Sequence, residues 1–206
     1  MPPVARSIRL SQPRNADRLT ASGQGSLNPE QLRLEADTLL QAGATGAALQ
    51  RLEDLLRLAP GEADAWSAYG KALSAASRYA DATEALHRAC DLDPAAIEPR
   101  TALGGLYANH SLMEEAIHWH GQALALDPDS LVLRLNHAFL WPVVAASAAQ
   151  IDHCRGRCLE AMARLAQDPG VYLNSSHVAN THTFGLAYHG SNDRALLQAY
   201  GRLVTR

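Results

Sequence analysis

Apolar and small residues recur at helical spacing along most of the chain, and this spacing predicts a series of amphipathic helices. The clearest stripe consists of residues that each lie three or four positions after the last: Ile151, Cys154, Cys158, Met162 and Leu165. Prolines and glycines separate the stripes. An all-α fold is therefore expected, with helices over residues 30–42, 47–58, 63–76, 80–92, 97–109, 114–126, 131–140, 148–167 and 192–204.

Three prolines divide the chain at equal intervals. Pro60, Pro94 and Pro128 are evenly spaced, and each closes a phrase of the form Leu-Ala-Pro or Leu-Asp-Pro. Counting back from them gives three units, Pro29–Glu62, Ala63–Ala96 and Ile97–Ser130. The interval, about 34 residues, resembles the period of the tetratricopeptide (TPR) repeat. The resemblance implies a TPR α-solenoid with three helix-turn-helix units.

Fixed positions within each unit indicate how its two helices would pack. The eighth position holds Gly70 and Gly104 in the second and third units, and the twentieth holds alanine in all three. Small residues there let the two helices approach closely, while larger residues at the fourth, eleventh and twenty-fourth positions fill the surrounding space. Gly43 suits a left-handed cap on the first helix. The alternative is a helical bundle whose periodicity is accidental.

The pattern departs from the repeat after residue 130. Residues 131–140 are similar to the first helix of a fourth unit, with Asp129 and Ser130 as N-cap candidates, but Trp141-Pro142 breaks the repeat. The helix over 148–167 is expected to cover the apolar end of the solenoid. Residues 168–190 are rich in Asn, Ser, His and Gly, which predicts a connector.

The segment before the first unit has a different composition. It contains Arg6, Arg9, Arg14 and Arg18 among Ser, Pro, Gly and Asn, without a sustained apolar period. We interpret it as a flexible basic arm that could touch an acidic partner; the alternative is an ordinary disordered terminus. The expected domains are residues 1–28 as this arm, 29–167 as the solenoid with its capping helix, and 168–206 as a connector with a terminal helix.

Composition and charge exclude several classes of protein. Apolar residues make up 47% and aromatic residues 5% of the 206 residues, which favours close-packed helices over a β-sandwich. A net charge of −3 argues against nucleic acid as a partner. No apolar run is long enough for a membrane span, and three cysteines do not form a disulfide framework. We therefore expect a cytoplasmic location, and the preference for arginine over Lys71, the one lysine, suggests a bacterial source.

The resemblance to TPR units also implies a binding groove. In that family, positions two, five, nine, twelve and thirteen of each unit point into the concave face. The residues there are Glu30, Arg33, Asp37, Gln41, Asp64, Ser67, Lys71, Ser74, Glu98, Thr101 and Asn109. We predict that this groove binds an extended or helical polypeptide; the alternative is a solvated face without a ligand.

Two specialised TPR grooves fit the sequence poorly. A clamp for a C-terminal carboxylate would be opposed by Asp37 and Glu98, which repel that group. The asparagine ladder of glycosyltransferase grooves uses the sixth position, which here holds Leu34, Ala68, Ala102 and Asn136. Because only Asn136 matches, a bound peptide must be held in another way.

No metal or catalytic site is expected within the chain. Cys154 and Cys158 lie one turn apart beside His153, but they share the apolar stripe and are interpreted as buried core residues. Ligand spacing typical of zinc modules does not occur, so no cofactor is predicted. Ser175, Ser176 and His177 lack the surroundings of a serine nucleophile. His120, at the twenty-fourth position of its unit, is expected to be packed in the core.

A run near the C-terminus resembles a more specific family. Residues 181–194, THTFGLAYHGSNDR, are similar to the connector of bacterial O-linked N-acetylglucosamine transferases of the SPINDLY-like group, with Thr183 in place of a frequent proline. The connector residues are His182, Phe184, Leu186, Tyr188, His189 and Gly190. In that family two nucleotide-sugar-binding domains follow, and no G-x-G-x-x-G motif for such a domain occurs here.

The resemblance leaves two functions open. The chain would be the acceptor-recognition part of a protein glycosyltransferase, with a catalytic domain docking on the connector, or a free-standing TPR adaptor. An adaptor must cover the apolar side of the last helix, formed by Leu196, Leu197, Tyr200 and Leu203, whereas an enzyme fragment would leave it as a socket. Whether the chain belongs to an enzyme is not decided by these residues.

Overall fold

The computed structural model describes residues 28–142, 145–168 and 192–204, and these residues form helices without strands. The helices are α1 (Pro29–Gln41), α2 (Thr45–Leu58), α3 (Ala63–Ala75), α4 (Tyr79–Leu92), α5 (Glu98–Asn109), α6 (Met113–Leu126), α7 (Leu131–Ala138), α8 (Ala148–Gln167) and α9 (Arg194–Val204). The expected all-α fold is confirmed. None of the helices in the described ranges combines the length and apolarity that a membrane crossing requires.

The chain divides into two compact units, and the division falls within α5 after Ala102. In unit 1, α1 packs on α2, α2 on α3 and α3 on α4. Its core consists of leucine and alanine side chains, with Tyr69 as the largest fully buried residue. A Cβ added at Gly70 would lie 2.6 Å from Cγ of Leu86 and 3.2 Å from the Ala82 carbonyl oxygen. The close approach predicted at the eighth and twentieth positions is therefore present in this unit.

The turns inside the three helix pairs share one geometry. Gly43, Ser77 and Ser111 all have a left-handed backbone, with φ of 74°, 59° and 59°, and they recur at the same interval as the prolines. At each turn the next amide donates to a carbonyl five residues back, as Ala44 N does to Leu39 O at 2.8 Å. These are Schellman caps, and the left-handed cap expected at Gly43 is confirmed. The two serines adopt a conformation that L-residues otherwise avoid.

The fourth position of two successive units makes the same contact with different side chains. Nε1 of Trp66 donates to the Pro60 carbonyl oxygen at 2.8 Å, and Nη2 of Arg100 donates to the Pro94 carbonyl oxygen at 2.7 Å. Both donors therefore fold back over the turn that precedes their helix. A second polar contact links α2 and α3, because the buried Tyr69 hydroxyl donates to Glu53 Oε1 at 3.0 Å. Burial, and then Glu53, raise the pKa of Tyr69.

In unit 2, α6 packs on α7, α7 on α8 and α8 on α9. A Cβ added at Gly104 would lie 2.4 Å from Cδ2 of His120, so the repeat contact seen at Gly70 recurs with a histidine ring. His120 is 6% exposed, as expected for a packed position. The predicted core role of Cys154 and Cys158 is also confirmed, since both are buried with Met162 and Leu165.

Unit 2 also contains a partly buried cationic group. Arg157 on α8 donates to the carbonyl oxygens of His137 and Leu140, the latter at 2.7 Å, so its guanidinium caps the C-terminal end of α7. Burial lowers the pKa of Arg157 itself. Burial and Arg157 together lower the pKa of His137, and burial, His137 and Arg157 lower the pKa of His120 to about 4.

Most predicted helices in the described ranges differ from the observed ones by one or two residues at an end. The helix expected over 131–140 stops at Ala138; Ser130 is its N-cap, with its hydroxyl oxygen 3.5 Å from Leu133 N. The helix expected from residue 192 begins at Arg194; just before it, the Asn192 side chain accepts from Arg194 N and Asp193 Oδ1 accepts from Arg155 on α8. The predicted helix over 148–167 matches α8.

The apolar side of α9 is covered within unit 2. Leu196 and Leu203 are fully buried in the cluster that contains Cys158 and Met162. The Tyr200 ring packs edge-on against Phe139, with centroids 5.7 Å apart. Only Leu197 of the four expected residues remains exposed, at 52%.

Candidate functional site

The first helices of successive repeats in unit 1 carry a row of polar side chains. Residues on α1 and α3 recur at intervals of three and four positions and therefore share a helix face. We call this surface the first-helix face; it consists of Glu30, Arg33, Asp37, Gln41, Asp64, Ser67, Lys71, Ser74, Glu98 and Thr101. Most of these side chains are exposed or half-buried.

Ion pairs link neighbouring helices across the first-helix face. Arg33 Nη2 on α1 lies 3.0 Å from Glu62 Oε1, and its Nη1 lies 3.8 Å from Asp64 Oδ2 on α3. Lys71 Nζ on α3 pairs with Glu98 Oε1 at the start of α5. The three acidic partners and both cations are at least 40% exposed at the side chain. Because exposed pairs stabilise a protein by about 0–1 kcal/mol, a ligand can displace them at small cost.

A cleft of about 290 Å³ lies at the α1 end of the first-helix face. Its lining comprises Pro29, Glu30, Arg33, Leu34, Asp37 and Glu62. Within the described ranges, Arg33 pairs with Glu62 and Asp64, whereas Glu30 and Asp37 make no ion pair. The cleft therefore carries three carboxylates against the one cation Arg33, and Glu30 and Asp37 make no ion pair among the described residues.

Ser67 differs from its sequence prediction. It was expected to point into the groove, but it is 1% exposed, and its hydroxyl oxygen makes no hydrogen bond to the described residues. It occupies α3 between Asp64 and Lys71, where close helix packing covers a small side chain. Thr101 is half-buried and donates to the Glu98 carbonyl oxygen at 2.8 Å. Neither hydroxyl is available for a first contact with a ligand.

Glu62 is a member of the site that the sequence did not indicate. It is the last residue of the first unit and the N-cap of α3, outside the positions that the family rule assigns to the groove. Its Oε2 atom is buried without a hydrogen-bond donor among the described residues, while Oε1 pairs with Arg33. The available signal was an acidic residue just before a helix N-terminus, which favours negative charge.

A second cleft, of about 470 Å³, lies between α1 and α2. It is lined by Leu34, Glu35, Thr38, Leu39, Ala47, Gln50 and Arg51. Leu34 is 69% exposed and borders both clefts. The charges at the rim are paired, since Arg51 Nε lies 2.9 Å from Glu35 Oε2.

The remaining predicted residues lie elsewhere. Asn109 is exposed at the end of α5 and Asn136 is half-buried on α7, and both belong to unit 2. The predicted connector residues His182, Phe184, Leu186, Tyr188, His189 and Gly190 lie outside the described residues, as does most of the basic arm.

The described residues contain no cluster that could hold a metal ion, and the Cys158 thiol is buried. Among them, no three His, Cys, Asp or Glu side chains are grouped closely enough to hold an ion. Burial raises the pKa of the Cys158 thiol to about 12, so it is not a reactive thiolate. His118 is exposed, with its Nε2 2.9 Å from Gln122 Nε2.

Comparison with solved structures places this geometry among helical repeat proteins. A crystal structure of MamA matches with a TM-score of 0.56 and 19% identity over 74% of this chain and 87% of that chain. A second MamA structure matches with a TM-score of 0.58 and 19% identity, over 71% of this chain and 80% of that chain. A mutant O-GlcNAc transferase of Thermobaculum terrenum matches with a TM-score of 0.55 and 20% identity, over 71% of this chain and 28% of the transferase.

Sequence comparison adds no closer relative. No protein-family model matches the sequence, and curated proteins show no significant similarity to it. At about one identical residue in five, the solved structures support a common fold. Together with the regular spacing of Gly43, Ser77 and Ser111, they show that this chain has the fold of the TPR solenoid proteins.

Proposed function

We propose that the chain is a protein-recognition module that binds a polypeptide on the first-helix face of unit 1. The observation that carries this proposal is the set of exposed ion pairs linking α1, α3 and the start of α5. These charges lie above a core of leucine and alanine that does not need them for packing. Solenoids of this type bind partners along such extended surfaces.

The mechanism follows from the exchange of charges. A bound peptide presents its own charged and amide groups to Glu62, Asp64, Lys71 and Glu98, which release their present partners. Because each exposed ion pair is worth only about 0–1 kcal/mol, the exchange costs little, and affinity comes from added apolar contact and from water released at the surface. Leu34, exposed beside the acidic cleft, supplies an apolar contact on the same face.

Photo-crosslinking in the source cell tests this proposal. A photoreactive amino acid placed at Asp64 should form an adduct with the partner. The same group at Arg88, an exposed residue of α4, is the matched control and should not form that adduct. Equal labelling from both positions, or no adduct from Asp64, would refute the assignment of the face.

The recognition module has two candidate roles. The connector-like run at residues 181–194 and the similarity to an O-GlcNAc transferase support a recognition arm that presents acceptor proteins to a sugar-transferring domain. This chain spans 28% of that transferase, so such a domain would belong to a longer protein.

The coverage of α9 favours a free-standing adaptor instead. Leu196 and Leu203 are buried against the core of unit 2, leaving little apolar surface there for a catalytic domain to cover. The intact mass of the native protein, detected with an antibody to this chain, distinguishes the two. A mass several-fold above 22.1 kDa supports the enzyme arm, and a mass of 22.1 kDa supports the adaptor.

A further inference from the structure

The first-helix face of unit 1 is acidic. With Glu62 included, it carries the carboxylates of Glu30, Asp37, Glu62, Asp64 and Glu98 against the two cations Arg33 and Lys71. Both cations are already paired with these carboxylates. A ligand that complements the face must therefore bring positive charge.

The acidic cleft shows where such a charge would lie. Glu30 and Asp37 flank Arg33 in the lining of the 290 Å³ cleft, and they make no ion pair within the described ranges. They are seven residues apart on α1, which corresponds to about 10 Å along the helix. Two carboxylates without an ion pair among the described residues, at this spacing, suit a peptide with more than one cationic side chain.

The chain itself contains a segment of that chemistry. Residues 1–27 carry Arg6, Arg9, Arg14 and Arg18 against the one acid Asp17. Arginine binds carboxylates through a planar fork of donors and is suited to such a face. The function proposed above does not otherwise use this basic segment.

The segment is long enough to reach the cleft. Residues 1–27 join α1 directly at its N-cap Asn28, next to Glu30. Arg18 lies ten residues before Asn28, and an extended chain of that length spans up to about 35 Å. The whole of α1 is about 20 Å long, so Arg14 and Arg18 can both reach Glu30 and Asp37.

We propose that residues 1–27 bind in cis to the acidic cleft of unit 1 and compete there with the polypeptide partner. The inference rests on the proposed function, since it names the regulation of that same face. A tethered segment has an effective concentration of about 1 mM, so individually weak contacts are enough to occupy the cleft. A partner must then displace the arginines, and neutralising them opens the face.

Competition by a synthetic peptide tests the proposal on the full-length chain. The probe is a fluorescein-labelled peptide of residues 1–27, titrated by fluorescence anisotropy at low salt. The two proteins compared are the unaltered chain and the variant in which Arg6, Arg9, Arg14 and Arg18 are replaced by alanine. The peptide should bind the variant roughly tenfold more tightly, because no tethered segment competes.

Neutral substitutions on the face locate the binding site. In the arm-neutralised background, Glu30→Gln with Asp37→Asn should weaken peptide binding roughly fivefold, because two ion pairs are lost. Asp152→Asn, an exposed substitution on α8 of unit 2, is the matched control and should leave the affinity unchanged. Circular dichroism of each variant verifies that the helices are intact.

Three results would overturn the proposal. The first is equal affinity of the peptide for the two proteins. The second is a peptide affinity that is unchanged by Glu30→Gln with Asp37→Asn. The third is a dimer that becomes monomeric when the arginines are neutralised. The last result would place the segment on a second copy. The crosslink from Asp64 is measured separately, so a partner captured there together with a negative peptide result refutes this inference and leaves the proposed function standing.

Discussion

The two units solve the same packing problem with different chemistry. In unit 1 the close approach of two helices places Gly70 against Leu86, and in unit 2 the equivalent residues, one repeat later, are Gly104 and His120. Both contacts leave no room for a Cβ, so the geometry of the repeat is kept. The repeat therefore constrains the volume of the side chain opposite the glycine more strongly than its polarity.

The histidine gives unit 2 a sensitivity that unit 1 lacks at this position. His120 Nδ1 is buried without a hydrogen-bond partner among the described residues, and Arg157 and His137 lie close enough to lower its pKa further. Leu86 has no group to protonate. Acid should therefore affect the two units unequally.

Acidification should destabilise unit 2 through His120. Its native pKa of about 4 lies below the unfolded value of 6.5, so the unfolded state binds the proton more readily. The part of the unfolding free energy that depends on neutral His120 is present in full above about pH 6.5. As the pH falls towards 4, about 3 kcal/mol of it is lost. Hydrogen exchange of α6 and α7 amides, converted to opening free energies at pH 7 and pH 4.5, measures the loss.

His120→Leu, which copies the residue of unit 1, is the control for that experiment. It should flatten the pH dependence of opening in α6 and α7 because the depressed histidine is removed. An unchanged acid response in this variant would assign the effect to other groups, with His137 the first to examine because its pKa is lowered in the same direction.

Two adjacent glycines of α5 should respond to alanine in opposite directions. Gly104→Ala should destabilise by about 2 kcal/mol, because its Cβ meets the buried His120 ring at 2.4 Å. Gly105→Ala should stabilise by up to about 1 kcal/mol, because its Cβ meets nothing within 4 Å and alanine favours the helix. Urea denaturation of the two variants supplies the values, and a shift of the same sign in both would contradict the close contact.

The shared turn geometry predicts a smaller, reciprocal effect. Ser77→Gly should stabilise by about 1 kcal/mol, since glycine adopts the left-handed backbone without strain, and Gly43→Ala should destabilise by a similar amount. Thermal unfolding followed by circular dichroism compares them. If Ser77→Gly lowers the melting temperature, the turn at that position is not held as described.

The smallest stability effect should come from the first-helix face. Lys71→Ala removes the ion pair with Glu98, but both side chains are about half exposed, so the loss should be below about 0.5 kcal/mol. Urea denaturation measures it, with Arg88→Ala on α4 as the comparison. A loss well beyond the range of exposed ion pairs would assign the pair to stability and weaken its proposed role in recognition.

Most of the fold could be predicted from the sequence because the residues that determine helix packing recur at fixed positions in each repeat. Prolines, alanines and glycines at the period of the repeat predicted most helix ends and the Gly70 contact, because these features recur at fixed positions of each unit. The contacts of Arg157 with the His137 and Leu140 carbonyls could not be predicted, because Arg157 lies outside the repeat and no recurring position indicates them. The end of α7 was misplaced in the same region.

The candidate site was predicted less completely. The family rule named Arg33, Asp64, Lys71 and Glu98, and their side chains are exposed and form ion pairs between the helices. It included Ser67, which is buried, and omitted Glu62, which holds Arg33. Whether a small residue is buried depends on the distance to the neighbouring helix. The spacing of residues along one helix does not predict that distance.

The most direct test of the central claim is the affinity of the partner captured by the Asp64 crosslink. It should be measured with the unaltered chain, with the double reversal Asp64→Lys and Glu98→Lys, and with Asp152→Lys as a reversal in unit 2. Recognition on the first-helix face predicts that the double reversal weakens binding by roughly tenfold or more, while Asp152→Lys changes it little. Equal affinity of all three proteins would show that the partner binds elsewhere.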